Sequence, residues 1–193
     1  MATGILTTST GGNTVNYGRA GAQDVRINTY SNLTLSGSGI KMVLANLTVT
    51  GNLLISAGTL DLGIVATTAS VAGTATVTGT LDFNGAPTKT MTIGGSLSGA
   101  GTIEMSTAVV QDHVLNLGGA TNAIGTCNFG AANQVVNYNR LGDQTVFAST
   151  TYRRLIISGS GTKTISGTVT TVLDADIQSG TLETAGQQFR VTT

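Results

Sequence analysis

The chain has 193 residues, long enough to bury a core, and 27 of them are glycine, twice the ~7% of an average protein. Only 9% are charged and nine basic residues balance nine acidic ones, which argues against disorder and against a broad electrostatic grip on nucleic acid or anionic lipid. Thr, Val, Ile, Ser and Gly stand where a helical protein would carry Ala, Leu, Glu, Lys and Arg, so the chain is predicted to be almost wholly β.

The opening residues Met1 to Leu6 lack the basic and apolar segments of a secretory leader, and no stretch approaches ~18 apolar residues, so membrane insertion is not expected. From Val15 to Leu60 runs a stretch that is written again near the C-terminus. Val15-Asn16-Tyr17, Arg19, Gly21, Gln23 and Val25 return 121 positions later as Val136-Asn137-Tyr138, Arg140, Gly142, Gln144 and Val146. At an offset of 122, Tyr30, Ser36 to Gly39 and Lys41 match Tyr152, Ser158 to Gly161 and Lys163. All four tyrosines of the chain fall into this register, which composition alone does not produce. The related segments are 14–62 and 135–184, and a repeat of this kind points to stacked, quasi-one-dimensional architecture.

From Leu33 onward, short alternating runs such as Leu33-Thr34-Leu35, Leu47-Thr48-Val49 and Leu60-Asp61-Leu62 are separated by Gly or Asn, the pattern of half-buried strands. The tetrad Gly-Thr-Leu/Ile-Asp/Glu begins at Gly58, Gly79, Gly101 and Gly180, with a weaker instance at Gly125. The near-even steps from Gly58 to Gly79, Gly101 and Gly125 each fit one coil of a parallel β-helix. Each coil would hydrogen-bond to the one below, ~4.8 Å away, with Gly at corners of positive φ. The prediction is a single right-handed parallel β-solenoid over residues 1–193, about nine coils of roughly 22 residues, on the usual handedness of parallel crossovers. The interval from Gly125 to Gly180 is not a whole number of such coils. Ser98-Gly99-Ala100-Gly101 suggests a half-repeat, and Asn84 to Thr88, holding the only proline, reads as a loop.

Leu60, Leu81 and Ile103 should pile in one interior row, which sends Asp61, Asp82 and Glu104 outward as a column. Such a column is either a solvated acidic edge or a Ca²⁺ bridge, since Ca²⁺ takes several oxygen ligands. Asp174-x-Asp176 places two carboxylates on one strand face, the minimum for a polysaccharide-cleaving pair, but without a companion acid, base or sugar clamp. His113, the only histidine, is expected at the surface. Cys127, the only cysteine, excludes an intramolecular disulfide and reads as a small inward residue. Arg153-Arg154 reads as a solvated pair. Gly159 to Thr164 has the wrong spacing for a phosphate loop and reads as a turn. Asn32 and Asn46 satisfy glycosylation sequons, yet Asn at a corner accounts for both. Thr74-x-Thr76-x-Thr78, Thr88-x-Thr90 and Thr162-x-Thr164 evoke an ice-binding ladder but do not recur at one place in the coil. No catalytic, metal or cofactor site is assigned.

The run Val136 to Asn139, Gln144-Thr145-Val146, Tyr152, Leu155 to Thr164 and Gly180-Thr181-Leu182 resembles the degenerate β-strand repeats of large secreted and cell-surface proteins of Bacteroidetes-type bacteria. It is similar in style to autotransporter and haemagglutinin-like passenger repeats. The resemblance implies a non-enzymatic, adhesin-like structural protein, extracellular or at the cell surface, and carries no catalytic residue. The chain is expected to be a fragment of a longer array, able to self-associate end to end into filaments or to present a face to a glycan or surface. A carbohydrate-active β-helix enzyme and a virion fibre protein are the alternatives.

Overall fold

The computed structural model describes residues 11–26, 29–106, 112–130 and 133–192; the leader reading at Met1 to Leu6 lies outside the described residues. Among the described residues there are 23 strands and no helix, and the named strands pair in parallel. Alternating aliphatic and polar residues make each strand half-buried, and the closely spaced glycine corners leave room only for short strands in the first five turns.

Those five turns each lay down three strands, one per face. They are β1 (Thr14–Tyr17), β2 (Gln23–Val25) and β3 (Thr29–Tyr30); β4 (Asn32–Leu35), β5 (Ile40–Val43) and β6 (Leu47–Val49); β7 (Leu53–Ile55), β8 (Thr59–Asp61) and β9 (Thr68–Val71); β10 (Ala75–Val77), β11 (Thr80–Asp82) and β12 (Thr90–Ile93); and β13 (Leu97–Ser98), β14 (Thr102–Glu104) and β15 (Val114–Leu117). In the sixth turn an isolated bridge from Leu97 to Asn122 takes the first face, β16 (Thr126–Asn128) the second and β17 (Val135–Tyr138) the third. The seventh holds β18 (Gln144–Val146) and the long β19 (Ser149–Ile157), which turns a corner at a register shift and so serves two faces. Then come β20 (Thr162–Ile165), the similarly bent β21 (Val169–Ile177), β22 (Thr181–Glu183) and β23 (Phe189–Val191).

The third face carries eight rungs, β3, β6, β9, β12, β15, β17 and the second halves of β19 and β21, so the solenoid has about eight turns where the sequence suggested nine. The coils on this face vary in length, from the short step between Tyr30 and Val49 to the longer one between Ile93 and Leu117. At ~4.8 Å per rung the rod is about 38 Å long. The interior row is as expected: Leu60, Leu81 and Ile103 are Cα partners in successive turns and fully buried. The same row begins with Gln23 and Lys41, below Leu60, and ends at Cys127.

The structure also explains the coil-count discrepancy. By sequence β17 corresponds to β1, β18 to β2 and the start of β19 to β3. Yet β1 pairs with β4 on the first face, whereas β17 pairs with β15 on the third. The second copy is therefore set back by one face around the rod. β16, opened by Gly125, lies on the second face and β22, opened by Gly180, on the first, so the interval between them covers two turns and two faces rather than a whole number of turns.

The repeated Ser-Gly-Ser-Gly corners require glycine at both positions. Gly39 and Gly161 have φ of 78° and 75°, in the left-handed region. A Cβ on Gly37 or Gly159 would overlap the carbonyl oxygen of Arg19 or Arg140 in the rung below.

Candidate functional site

Each tyrosine pair closes a ring of hydrogen bonds. The Phe147 N–H donates to Tyr138 Oη (3.2 Å), and Tyr152 Oη donates to Phe147 O (2.9 Å), so the 2.9 Å bond between the two hydroxyls must run from Tyr138 to Tyr152. In the first copy the Arg26 N–H meets Tyr17 Oη at 3.1 Å, Tyr17 meets Tyr30 at 2.9 Å and Tyr30 meets Arg26 O at 2.7 Å. Phe147 and Arg26 follow the end of a strand, where the backbone has left the ladder, and the two phenols supply the partners a rung would have supplied. Burial pushes the Tyr30, Tyr138 and Tyr152 hydroxyls well above the usual phenol range, so they stay protonated.

The matched lysines are caged ammonium groups. Lys163 is fully buried and its Nζ donates to Arg140 O (2.9 Å), Gly142 O (2.6 Å) and Ser160 O (2.6 Å). Lys41 does the same with Arg19 O, Gly21 O and Ser38 O at 3.0, 2.7 and 2.6 Å. The turn expected over Gly159 to Thr164 is confined to the corner at Ser158 to Gly161, because Thr162 to Thr164 already belong to β20, and Lys163 is spent on holding that corner closed. Desolvation lowers the Lys163 pKa, opposed by Asp143.

The acidic column corrects one expectation in part. Asp61, Asp82 and Glu104 are consecutive Cα partners on the second face, but each carboxylate bends back to accept a backbone N–H two residues on: Gly63 (2.6 Å), Asn84 (2.7 Å) and Ser106 (2.8 Å). Asn84 Nδ2 donates to both oxygens of Asp61 (2.9 and 3.0 Å) and Asn128 Nδ2 to Glu104 (2.8 Å), and Asp61 is only 5% exposed instead of pointing into solvent. Amide donors therefore relieve the repulsion that a bare column would suffer. Among the described residues no group of three or more His, Cys, Asp or Glu is placed to hold a metal ion.

His113 is not at the surface: it is fully buried. Its Nε2–H donates to Asn84 O (2.8 Å) and its Nδ1 accepts the Lys89 N–H (3.1 Å), which fixes the neutral tautomer. Burial lowers its pKa. Its own N–H donates to Gln134 Oε1 (2.8 Å), and Gln134 Nε2 donates to Met105 O (3.0 Å). Lys89 Nζ meets Gly85 O and Pro87 O at 2.8 and 3.1 Å, anchoring the loop at Asn84 to Thr88. The signal was in the sequence: counting back in twos from Leu117 and Leu115 puts His113 on the inward side.

Asp174 and Asp176 share an outward face, as the register requires, but Asp174 is held by Arg154 Nε at 3.0 Å and Asp176 accepts Gln178 Nε2 at 2.8 Å. The Asn32 side chain accepts the Asn52 N–H (2.9 Å), and the Asn46 side chain the Thr67 and Thr68 N–H groups (3.1 Å each), so both sequon asparagines brace corners. The three Thr rows fall on different sheets: β10, the start of β12, and β20. Cys127 is partly buried against the core, and burial raises its thiol pKa far above the reactive range.

The fold and these side chains define a three-faced parallel β-solenoid whose distinctive polar groups brace its own corners. The chain matches no protein-family model, no curated protein and no solved structure. Among the described residues no helix is long and apolar enough to cross a membrane.

Proposed function

We propose that this chain is a non-enzymatic structural segment of an extracellular or cell-surface protein, a stiff rod that spaces or presents what is joined to it. The observation that carries this reading is where the chemically able side chains are spent. Lys41 and Lys163 are caged by carbonyls, His113 accepts a backbone N–H, the acidic column closes turns, and Asp174 is paired with Arg154. A catalytic group needs a free acid, base or nucleophile facing a substrate, whereas these groups face backbone or, for Asp174, the Arg154 guanidinium. An adhesin-like role follows from the same rigidity, with a flat face offered to a glycan or surface.

The test is a polysaccharide turnover panel run beside a glycan-binding array. No turnover, with or without binding, fits a structural rod. Cleavage that disappears in Asp174→Ala or Asp176→Ala would replace it with a carbohydrate-active enzyme.

A further inference from the structure

The two sequence copies have nearly the same residues in different surroundings. In the second copy Gln144 Nε2 donates to Leu117 O (2.7 Å) and Arg140 Nη1 to Gly118 O (3.4 Å), so the pair clasps two consecutive carbonyls of the rung below. That rung is β15, on which β17 lies with Tyr138 over Leu117. In the first copy the corresponding Arg19 and Gln23 line an open hollow of about 350 Å³ with Ala22, Asp24 and Arg26. Gln23 Oε1 is buried there without a hydrogen-bond partner, whereas Gln144 Oε1 accepts the Arg140 N–H at 3.4 Å, so the first-copy glutamine is not set as its counterpart is. Among the described residues β1, β2 and β3 each pair on one side only.

The opposite end has the complementary features. The second half of β21 carries no described strand above it, and Ile177, an inward-row residue, is 51% exposed. Ile177 stands in the third-face row that runs through Leu117, Tyr138 and Ile157. The end turns also match in size: the step from Tyr30 to its partner Val49 and the step from Ile157 to its partner Ile177 differ by a single position.

We propose that the β1–β2–β3 end docks the last rung of a second copy of this chain, by the junction already present inside the molecule. Inside, β16 on the second face is followed by β17 on the third. Between chains, β23 on the second face is followed by β1 of the next copy, lying over Asp174–Ile177 with Tyr17 on Ile177. Gln23 then donates to Ile177 O and Arg19 to Gln178 O, as Gln144 and Arg140 do to Leu117 O and Gly118 O. The contact is head to tail and repeats along a screw axis, so it builds linear filaments and not closed rings. This rests on the rod reading above, but its test reads assembly alone, so the two can fail separately.

Sedimentation velocity and negative-stain microscopy of the full chain across about 1 to 500 µM are expected to show filaments that lengthen with concentration. The Arg19→Ala, Gln23→Ala double variant and the Ile177→Asp variant break opposite ends. Each is expected to raise the assembly concentration at least about tenfold. Mixed together they retain one intact junction and should stop at dimers. A chain carrying Asn16→Cys and Asp176→Cys tests the register without weakening either end. Those positions would face each other ~4.8 Å apart and should give a disulfide-linked ladder on oxidation. A wild type that stays monomeric throughout, filaments indifferent to both end variants, or a folded double-cysteine chain that forms no ladder would overturn the proposal.

Discussion

Replacing Lys163 with methionine tests whether the corners are held by caged ammonium groups. The substitution keeps the aliphatic stem and removes three charge-assisted hydrogen bonds. Ser160 O also receives the Gly142 N–H at 3.2 Å and so keeps a donor, which leaves the Arg140 and Gly142 carbonyls to be satisfied. At roughly 2 kcal/mol for each orphaned carbonyl the gross loss is about 4 kcal/mol. About 1 kcal/mol returns because a buried charge no longer has to be desolvated, so the net loss is about 3 kcal/mol. For a chain of this length that corresponds to a fall in Tm of roughly 6–12 °C. Lys41→Met is the internal comparison. Its cage carbonyls sit in the exposed Arg19 to Gly21 corner, where water can replace the ammonium, so about 1 kcal/mol is expected. Urea unfolding followed by far-ultraviolet circular dichroism measures both. A Lys163→Met variant within about 0.5 kcal/mol of wild type would refute the cage as a source of stability.

Three further outcomes are expected. Tyr152→Phe should cost about 2 kcal/mol, because Phe147 O loses its donor and Tyr138 its acceptor, while Tyr30→Phe at the more open first copy should cost about half as much, read from the same urea curves. The lowered His113 pKa means the unfolded chain takes up the proton first as pH falls. Its contribution is therefore full above about pH 6.5 and is lost progressively below it, so the urea midpoint should fall as pH drops through and below about 6.5, and His113→Phe should flatten that slope. Gly159→Ala should cost more than about 4 kcal/mol or prevent folding, since its Cβ overlaps the Arg140 carbonyl, whereas Gly85→Ala, with nothing within 4 Å, should be neutral by thermal melting.

The interior rows were legible because alternation with Leu, Ile and Val is a local signal and stacking adds no further choice: once one rung is placed, the next lies over it. Leu60, Leu81 and Ile103 needed only the near-constant spacing of the Gly-Thr tetrads that precede them. His113 belongs at the surface by residue type, but its place two residues before inward Leu115 turns it into the core. Lys41, Lys89 and Lys163 all occupy inward positions two residues before a buried aliphatic or methionine, where only backbone carbonyls from the corner make a cation tolerable. No sequence pattern announces those carbonyls, since any residue supplies them. Asp61 does stand in the outward column between inward Leu60 and Leu62, and only its solvated reading failed: its partner Asn84 belongs to the next turn and has φ of 54°, a loop conformation that alternation does not describe.

Setting the second copy back by one face limits what any face can display. A rung asks only that the rung beneath present backbone groups in register, so a repeated segment can restart on any side of the rod. Side-chain columns have no such freedom. The Thr59, Thr80, Thr102 and Thr126 column, with Asp61, Asp82, Glu104 and Asn128 beside it, occupies four rungs of the second face. Its counterpart Thr181-x-Glu183 lies on the first face, on the far side of a corner. A ligand that reads a long regular lattice, such as ice, would meet four rungs of it, a span of about 15 Å at ~4.8 Å per step. The tyrosine rings and caged lysines, by contrast, recur intact in both copies because their partners travel with them inside the repeat. What the sequence repeats is therefore the bracing of one corner, and a surface pattern is repeated only where the rungs happen to stay in phase.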